Sequence, residues 1–432
     1  MHLNKKYLIA VFFFLLALIP TYIDIYAGKF FKDFAYNELF VNYSNGFVRR
    51  GLFGSILINL YQTFNIHPNV VIGFTFLTLY SLNILIILNL LKKYKNFFLI
   101  FIFVLLNPSL ILFNIYDHST IFLKDSFSIF TILLHSLIFS LNNKEKYLSL
   151  FKLILIPLLI ISILMHELQI FFITIHFLMT LIFFKKYSLD LKYIINYYFL
   201  LLLVALLVIF LGVGTYEHYL KINETISSLF NTEIKVNLGI AGNFKAIIGN
   251  FIKIHFFYYY PNYSYFYFYF CFLASVFLIY FFLHFLIIKK ILILNKIKIF
   301  FNILKIKLDY RWFFISPLLL FFFADHGRTL NLISFHLIAF FLILDLNKKK
   351  LTYFYKKIIS NFIIKNIIVV FLIFYLFFYF TPFNGGLISM GSGPYKNEIF
   401  KLTLGSEITK SFKIFYTYID INFIELPYIG RK

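Results

Sequence analysis

A pair of adjacent arginines, Arg49 and Arg50, has the residue type and spacing to bind an anion. Lysine dominates the basic residues of this chain, so paired arginines indicate a need for the planar guanidinium, which binds phosphate or carboxylate through two parallel hydrogen bonds. The segment from Leu52 to Phe64 has helical periodicity, and Gly51 and Gly54 would let an anion approach the free amides at its start. The pair predicts a phosphate site, with anchoring to lipid headgroups as the alternative.

Four residues are candidates for acid or base chemistry beside these arginines. Asp33 and Glu38 precede the pair, and a carboxylate there can serve as a general base. His166 and Glu167 interrupt a long apolar run, which predicts a hairpin apex or a buried polar site. No second histidine follows in the spacing of a zinc protease, so no metal ligand is predicted, and a need for a divalent metal stays undetermined.

Polar residues break the apolar sequence at three further places. Arg328 lies in a short turn and joins the predicted phosphate-binding set, unless it only pairs with an acid to lock two helices. Lys124 and Asp125 either point into the protein or are a snorkelling lysine and a helix-end acid. Supporting roles are predicted for Asp117, His118, Lys124, Asp125, Asp325 and His326.

The composition identifies a polytopic membrane protein. Hydrophobic residues make up 61% of the 432 positions and charged residues only 13%, far from the usage of soluble domains. The net charge of +22 comes from lysines between apolar segments, where they anchor loops to anionic lipid, so nucleic acid is not an expected partner. The single Cys271 excludes an internal disulfide and a cysteine-based zinc cluster.

The hydropathy pattern predicts an all-α protein with about eleven transmembrane helices, within a range of 10 to 13. The predicted spans are 7–27, 68–91, 97–114, 120–141, 150–165, 168–184, 193–214, 264–288, 312–324, 329–345 and 366–381. Lysine-rich connections place the N-terminus in the cytoplasm. We therefore expect a multi-pass protein of the bacterial cytoplasmic (inner) membrane.

This threading gives one transmembrane domain, 1–381, with outer loops at about 28–67 and 215–263, and an extracytoplasmic tail, 382–432. An interfacial helix is expected on the outer face after the first span. Every polar site named above falls on that outer face. Hydrophobicity defines the spans and lysine position defines the orientation, so the convergence of the polar residues on one face is independent of both criteria.

The layout resembles two bacterial groups, the glycosyltransferases of the GT-C fold and the O-antigen or polysaccharide polymerases and ligases. The resemblance lies in about ten or more spans, an outward-facing site, and acids or arginines in outer loops. It implies a carboxylate base, corresponding to Asp33 or Glu38, and essential arginines, corresponding to Arg49, Arg50 and Arg328. The first outer loop departs from the pattern because it has no DxD or ExD pair.

The resemblance implies an enzyme that transfers a sugar from a polyprenyl-phosphate or polyprenyl-diphosphate donor to a glycan acceptor, outside the cytoplasm. In this hypothesis the arginines hold the phosphates, and Asp33, Glu38 or Glu167 acts as base. A secondary transporter or flippase of lipid-linked glycans is the alternative, with Asp117, Lys124, Asp125 and Glu167 along the path. A further alternative is a non-catalytic scaffold of the cell envelope.

Overall fold

The computed structural model describes residues 34–92, 123–230, 315–319 and 326–343, with 11–15, 18, 104, 110–111 and 366 in addition. Every regular element within these ranges is helical, which confirms the predicted all-α class. The predicted spans 7–27, 97–114, 264–288 and 366–381 lie outside the described residues apart from a few positions, as does the whole tail 382–432.

The helices are numbered here in chain order. They are α1 (Phe34–Glu38), α2 (Gly51–Phe64), α3 (Pro68–Leu91), α4 (Asp125–Ser140), α5 (Lys144–Leu150), α6 (Ile156–Met165), α7 (Ile173–Lys186), α8 (Leu191–Leu211), α9 (Tyr216–Phe230), α10 (Ile315–Leu319) and α11 (His326–Ile343). A π-helical turn, Phe151–Leu155, joins α5 to α6, and a 3₁₀ segment, Glu167–Phe172, leads into α7.

Four helical stretches are long and apolar enough to cross a membrane, which identifies the chain as a membrane protein. They are Pro68–Leu91, Lys144–Met165, Glu167–Lys186 and Lys192–Leu211. The predicted spans 68–91, 150–165, 168–184 and 193–214 largely coincide with them. Two shorter apolar helices, Asp125–Ser140 and Arg328–Ile343, fall within or close to the predicted spans 120–141 and 329–345. The total of eleven spans and the orientation stay predictions.

The starts of these helices follow from local capping chemistry. The side chain of His67 accepts a hydrogen bond from the amide of Asn69 at the start of α3, and Pro68 fills the first helical position, where no amide hydrogen is needed. Asn143 and Asp190 cap α5 and α8 in the same way. These caps fix where each apolar segment enters the bundle.

Helix α4 lies at the centre of the described bundle. It packs against α3, α6 and α11, and its buried face carries several polar residues. By contrast, α8 exposes a series of leucines away from the bundle, as expected for a helix that faces lipid. Polar side chains are therefore collected on the interior helix and apolar ones on the peripheral helix.

Among the described residues of the region expected at the outer face, two helices are longer than ten residues. The helix predicted from Leu52 to Phe64 is present as α2. The segment predicted only as a loop after residue 215 begins with α9, which sequence analysis missed. Phe230 of α9 packs against Phe40 and Tyr61, with ring centroids 5.6 and 4.9 Å apart. Helix α9 therefore covers the loop that leads to the arginine pair.

Candidate functional site

Arg50 lies immediately before α2 and bridges two carboxylates from distant parts of the chain. Its Nε donates to both oxygens of Glu167, at 2.8 and 3.0 Å, and Nη2 also binds Glu167. Its Nη1 donates to Glu38 Oε1 at 2.7 Å. Burial alone would lower the pKa of Arg50, but the charges of Glu167 and Glu38 raise it above the usual value. Arg50 is therefore a permanent cation shared by two acids.

A second guanidinium pair lies beside the first. Nη2 of Arg328, near the start of α11, donates to Asp125 Oδ1 at 2.9 Å, and Nε binds the other oxygen of that carboxylate. The same Nη2 contacts Nε2 of His166 at 2.8 Å. Because Asp125 is the first residue of α4, this pair ties α4 to α11. Since His166 precedes Glu167, the two pairs are neighbours.

His166 is a neutral imidazole at this junction. Its backbone is extended between α6 and the 3₁₀ segment, and its Nδ1 accepts the amide hydrogen of Leu168 at 3.1 Å. Burial lowers the pKa of His166 well below its usual value, and the charges of Arg50 and Arg328 contribute. A neutral imidazole has only one acceptor nitrogen, so Leu168 and Arg328 compete for it.

Lys124 lies just before the first residue of α4 and beneath Arg50. Its Nζ donates to the backbone carbonyl of Arg50 at 2.7 Å, and only 2% of the residue is exposed. This bond supports the left-handed backbone of Arg50, whose φ is 66°.

Arg49 points into the same region but is held by a different element. Its backbone amide donates to the carbonyl of Gly212 at 2.8 Å, at the turn between α8 and α9. Its guanidinium is buried, which lowers its pKa, while Glu167 and Glu38 oppose that shift by their charge. The turn after α8 therefore fixes the backbone of the arginine pair.

The two glycines next to the arginines are used for packing. A Cβ on Gly54 would lie 2.1 Å from the carbonyl oxygen of Val41, and one on Gly51 would lie 2.2 Å from the ring of Tyr43. The space predicted for an approaching anion at these glycines is thus occupied by the chain's own backbone and a tyrosine ring.

The structure brings together most of the predicted site residues that it describes, at one end of the bundle. This charged cluster consists of Glu38, Arg49, Arg50, Lys124, Asp125, His166, Glu167 and Arg328. Asp33, Asp117, His118 and Asp325 lie outside the described residues, as does the side chain of His326, the first residue of α11.

The charge balance of the cluster is positive. Counting only the residues that the structure describes, four basic side chains face three carboxylates when all are ionised. Arg50 and Glu167 are its most accessible paired members, with 18% and 17% of their side chains exposed, against 8% and 6% for Arg328 and Asp125. An anion arriving from solvent therefore meets Arg50 before Arg328.

In the described part of the chain, no group of three or more His, Cys, Asp or Glu residues is placed to hold a metal ion.

No family model matches the chain, and no curated protein or solved structure matches it either. The geometry of the site is therefore the basis for inferring its chemistry.

Sequence reasoning missed a second polar group inside the bundle. Ser128, His135, Gln169 and His176 are all buried and joined by hydrogen bonds. The signal was present in α4, where Asp125, Ser128 and His135 recur at helical spacing on one face. In the sequence, His135 and His176 only keep the transporter alternative open, and neither Ser128 nor Gln169 stands out.

The buried pair of Asp125 and Arg328 should contribute more to stability than a surface pair. Replacing Asp125 by Asn leaves the Arg328 charge without its carboxylate, which costs about 3–5 kcal/mol for a buried pair. The control is Glu217→Gln, which breaks an exposed pair with Lys221 on α9 and should change stability by less than about 0.5 kcal/mol. Unfolding in detergent measures both, and equal effects would contradict the structure.

Proposed function

We propose that this chain is an integral membrane glycosyltransferase, or a polysaccharide polymerase, that uses a polyprenyl-phosphate or polyprenyl-diphosphate sugar donor. The observation that carries the proposal is the convergence of Arg50, Glu167 and Arg328, which are far apart in sequence, into one cluster with excess positive charge. Charged side chains within a membrane cost free energy, so a buried charged cluster in this chain indicates a function that requires those charges.

The excess positive charge supports an anionic ligand at Arg50. A donor phosphate would replace a carboxylate on the guanidinium edge, because both anions fit the same two-bond geometry. Arg50 Nε and Nη2, which now bind Glu167, form that edge. Arg49 and Arg328 would add to the local potential, which stabilises the negative charge that develops on a departing phosphate.

Replacement of a carboxylate on Arg50 by the donor phosphate would also free that carboxylate to act as a base. A carboxylate that has lost its guanidinium partner is free to accept a proton, which makes Glu167 and Glu38 available to an incoming hydroxyl. The carboxylate takes the proton of the acceptor hydroxyl, the hydroxyl oxygen bonds to the sugar's anomeric carbon, and the bond from that carbon to the phosphate oxygen breaks. Asp33, in the same predicted loop, stays a third candidate base.

The remaining members of the cluster would position these groups. Lys124 holds the carbonyl of Arg50, and the Asp125–Arg328 pair holds α4 against α11. His166 lies between the two guanidinium pairs and shares a peptide bond with Glu167. His166 holds the two guanidinium pairs next to each other through its contacts with Arg328 and the amide of Leu168.

We assign the charged cluster to the extracytoplasmic face of a bacterial cytoplasmic membrane, in a chain with about eleven spans and a cytoplasmic N-terminus. The support is the opposite end of α4, where Lys144 and Lys146 lie in the first turn of α5 and Lys185 and Lys186 in the last turn of α7, at the two ends of short connections. Lysine in short connections favours the cytoplasmic side. The lipid-linked donor and the glycan acceptor would then meet at the outer leaflet, as the resemblance to the GT-C and polymerase groups implies.

A proton-coupled transporter or flippase is the second candidate function. The observation that favours it is the buried polar group around His135 and His176, because polar side chains within spanning helices are typical of transport paths. A non-catalytic envelope scaffold would instead tolerate the loss of any one charge in the cluster.

Binding of a small lipid diphosphate tests the proposal directly. Farnesyl diphosphate should raise the melting temperature of the detergent-purified protein, and farnesol should not, because only the diphosphate engages Arg50. Arg50→Lys keeps the charge but loses the planar fork, so its response should fall at least about tenfold in apparent affinity. Exposed Lys146→Ala is the matched control and should respond as wild type does.

The same variants test the role of Arg50 in cells of a deletion strain and separate it from a non-catalytic scaffold. Arg50→Lys should abolish the surface glycan while membrane protein levels stay normal, and Lys146→Ala should restore it fully. Equal shifts with farnesol and farnesyl diphosphate, together with normal glycan in the Arg50→Lys strain, would remove the proposed function.

A further inference from the structure

A continuous chain of hydrogen-bonded side chains runs through the interior of the described bundle, outside the charged cluster. We call it the buried polar chain. Its members come from five different helical segments and are all buried. They are Ser128 and His135 of α4, Gln169 of the 3₁₀ segment, His176 and Thr180 of α7, Tyr147 of α5 and Tyr198 of α8.

The contacts of the chain are direct. The hydroxyl of Ser128 donates to the amide oxygen of Gln169, whose nitrogen lies 3.4 Å from His176 Nε2. Nδ1 of His176 and Nδ1 of His135 are 3.0 Å apart, with the two rings stacked. His135 Nε2 lies 2.9 Å from the hydroxyl of Tyr147.

The second half of the chain consists of hydroxyl groups. The hydroxyl of Tyr147 donates to Thr180 Oγ1 at 3.4 Å, and Thr180 Oγ1 lies 2.9 Å from the hydroxyl of Tyr198. Tyr198 is seven residues into α8, about 10 Å from the start of that helix, where Lys192 lies. At the other end, Ser128 is one helical turn from Asp125. The chain thus connects the neighbourhood of the charged cluster with the opposite half of the bundle.

One arrangement of hydrogens satisfies the contacts from Ser128 to Thr180. Gln169 donates to Nε2 of His176, which forces the Nδ1–H tautomer of His176 and makes Nδ1 of His135 an acceptor. His135 then carries its hydrogen on Nε2 and donates to Tyr147, which donates to Thr180. Thr180 Oγ1 donates to the backbone carbonyl of His176 at 3.0 Å, so its hydrogen must rotate towards Tyr198 before a proton can pass the last link.

A third imidazole provides an open acceptor beside this chain. Nδ1 of His336 on α11 bonds the carbonyl of Leu332 at 2.7 Å, so its Nε2 carries the lone pair. No described residue donates to that nitrogen, although the side chain is fully buried. The ring packs on Phe172 and lies edge-on to His176, with centroids 5.9 Å apart.

We propose that the buried polar chain is a proton relay between the charged cluster and the lysine-rich end of the bundle. Each member takes a proton on one side and gives up its own on the other, so one proton moves through while only O–H and N–H bonds exchange. Gln169 takes the proton on its oxygen and releases one from its nitrogen. The chain then points in the opposite direction and must turn back before the next transfer.

If these side chains only held helices together, isolated hydrogen-bonded pairs would be enough, and an unbroken series from Ser128 to Tyr198 would not be needed. A lock between α4 and α7 is complete with His135 and His176 alone, whereas the chain extends to α5 and α8 through groups that both donate and accept. Histidines within membrane spans are typical members of proton relays, and His135 and His176 lie at the centre of this chain. The relay does not depend on sugar transfer, and its test contains no sugar donor.

The experiment uses the full chain in vesicles of phosphatidylethanolamine and phosphatidylglycerol that enclose a pH-sensitive dye. A potassium diffusion potential set by valinomycin, negative inside, should acidify wild-type vesicles at least tenfold faster than protein-free vesicles. Tyr147→Phe removes the central hydroxyl but keeps the ring that stacks on Phe183, with centroids 3.6 Å apart. This variant should fall to the protein-free rate.

Two further variants keep the test decisive. Thr180→Val breaks the next link with little change in volume and should also fall to the protein-free rate, so it decides the outcome if Tyr147→Phe does not fold. Tyr197→Phe removes a hydroxyl next to Tyr198, but outside the chain, and should conduct as wild type does. Wild-type vesicles no faster than protein-free ones, or unchanged flux in both Tyr147→Phe and Thr180→Val, would overturn the relay.

Discussion

The compensation of buried charge around Arg50 is the constraint on which the described structure depends. A guanidinium in a membrane-spanning bundle is costly unless carboxylates satisfy it, and Arg50 meets this need with Glu167 and Glu38. To do so it adopts a left-handed backbone before α2, supported by Lys124. The pairing joins the first predicted outer loop, the hairpin apex between α6 and α7, and the start of α4.

The same helix carries both polar systems of the interior. Asp125 starts α4 within the charged cluster, and Ser128 and His135 continue along one face into the buried polar chain. Helix α4 also packs against α3, α6 and α11, so it receives its polar partners from helices that are apolar elsewhere. Its central position explains how a sequence dominated by hydrophobic residues gathers its few polar groups along one line.

Much of the helical layout could be predicted from the sequence, because length and hydropathy are local properties. The span 68–91 coincides with α3, and the helix expected from Leu52 to Phe64 is α2. Glu38, Arg50, Glu167 and Arg328 were also identified, since ionisable residues stand out against apolar neighbours. Their pairing was not predicted, because which acid meets which arginine depends on how the helices pack.

Helix α9, the packing at Gly54 and the buried polar chain could not be predicted from the sequence, for physical reasons. Helix α9 has a mixed composition that is typical of a loop, and its burial comes from packing on Phe40 and Tyr61. Gly54 suggested space for an anion, but glycine equally permits close backbone packing, and Val41 occupies the position. The members of the buried polar chain are weakly polar residues whose significance depends on partners from other helices.

A double-mutant cycle on Arg50 and Glu167 tests the central claim most directly. The free energy of unfolding in detergent is measured for wild type, Arg50→Gln, Glu167→Gln and the double variant. A direct buried pair predicts that the double variant is more stable than the sum of the single effects by at least about 1 kcal/mol. Single effects that add to within about 0.3 kcal/mol would show that these two residues do not meet, and would contradict the account.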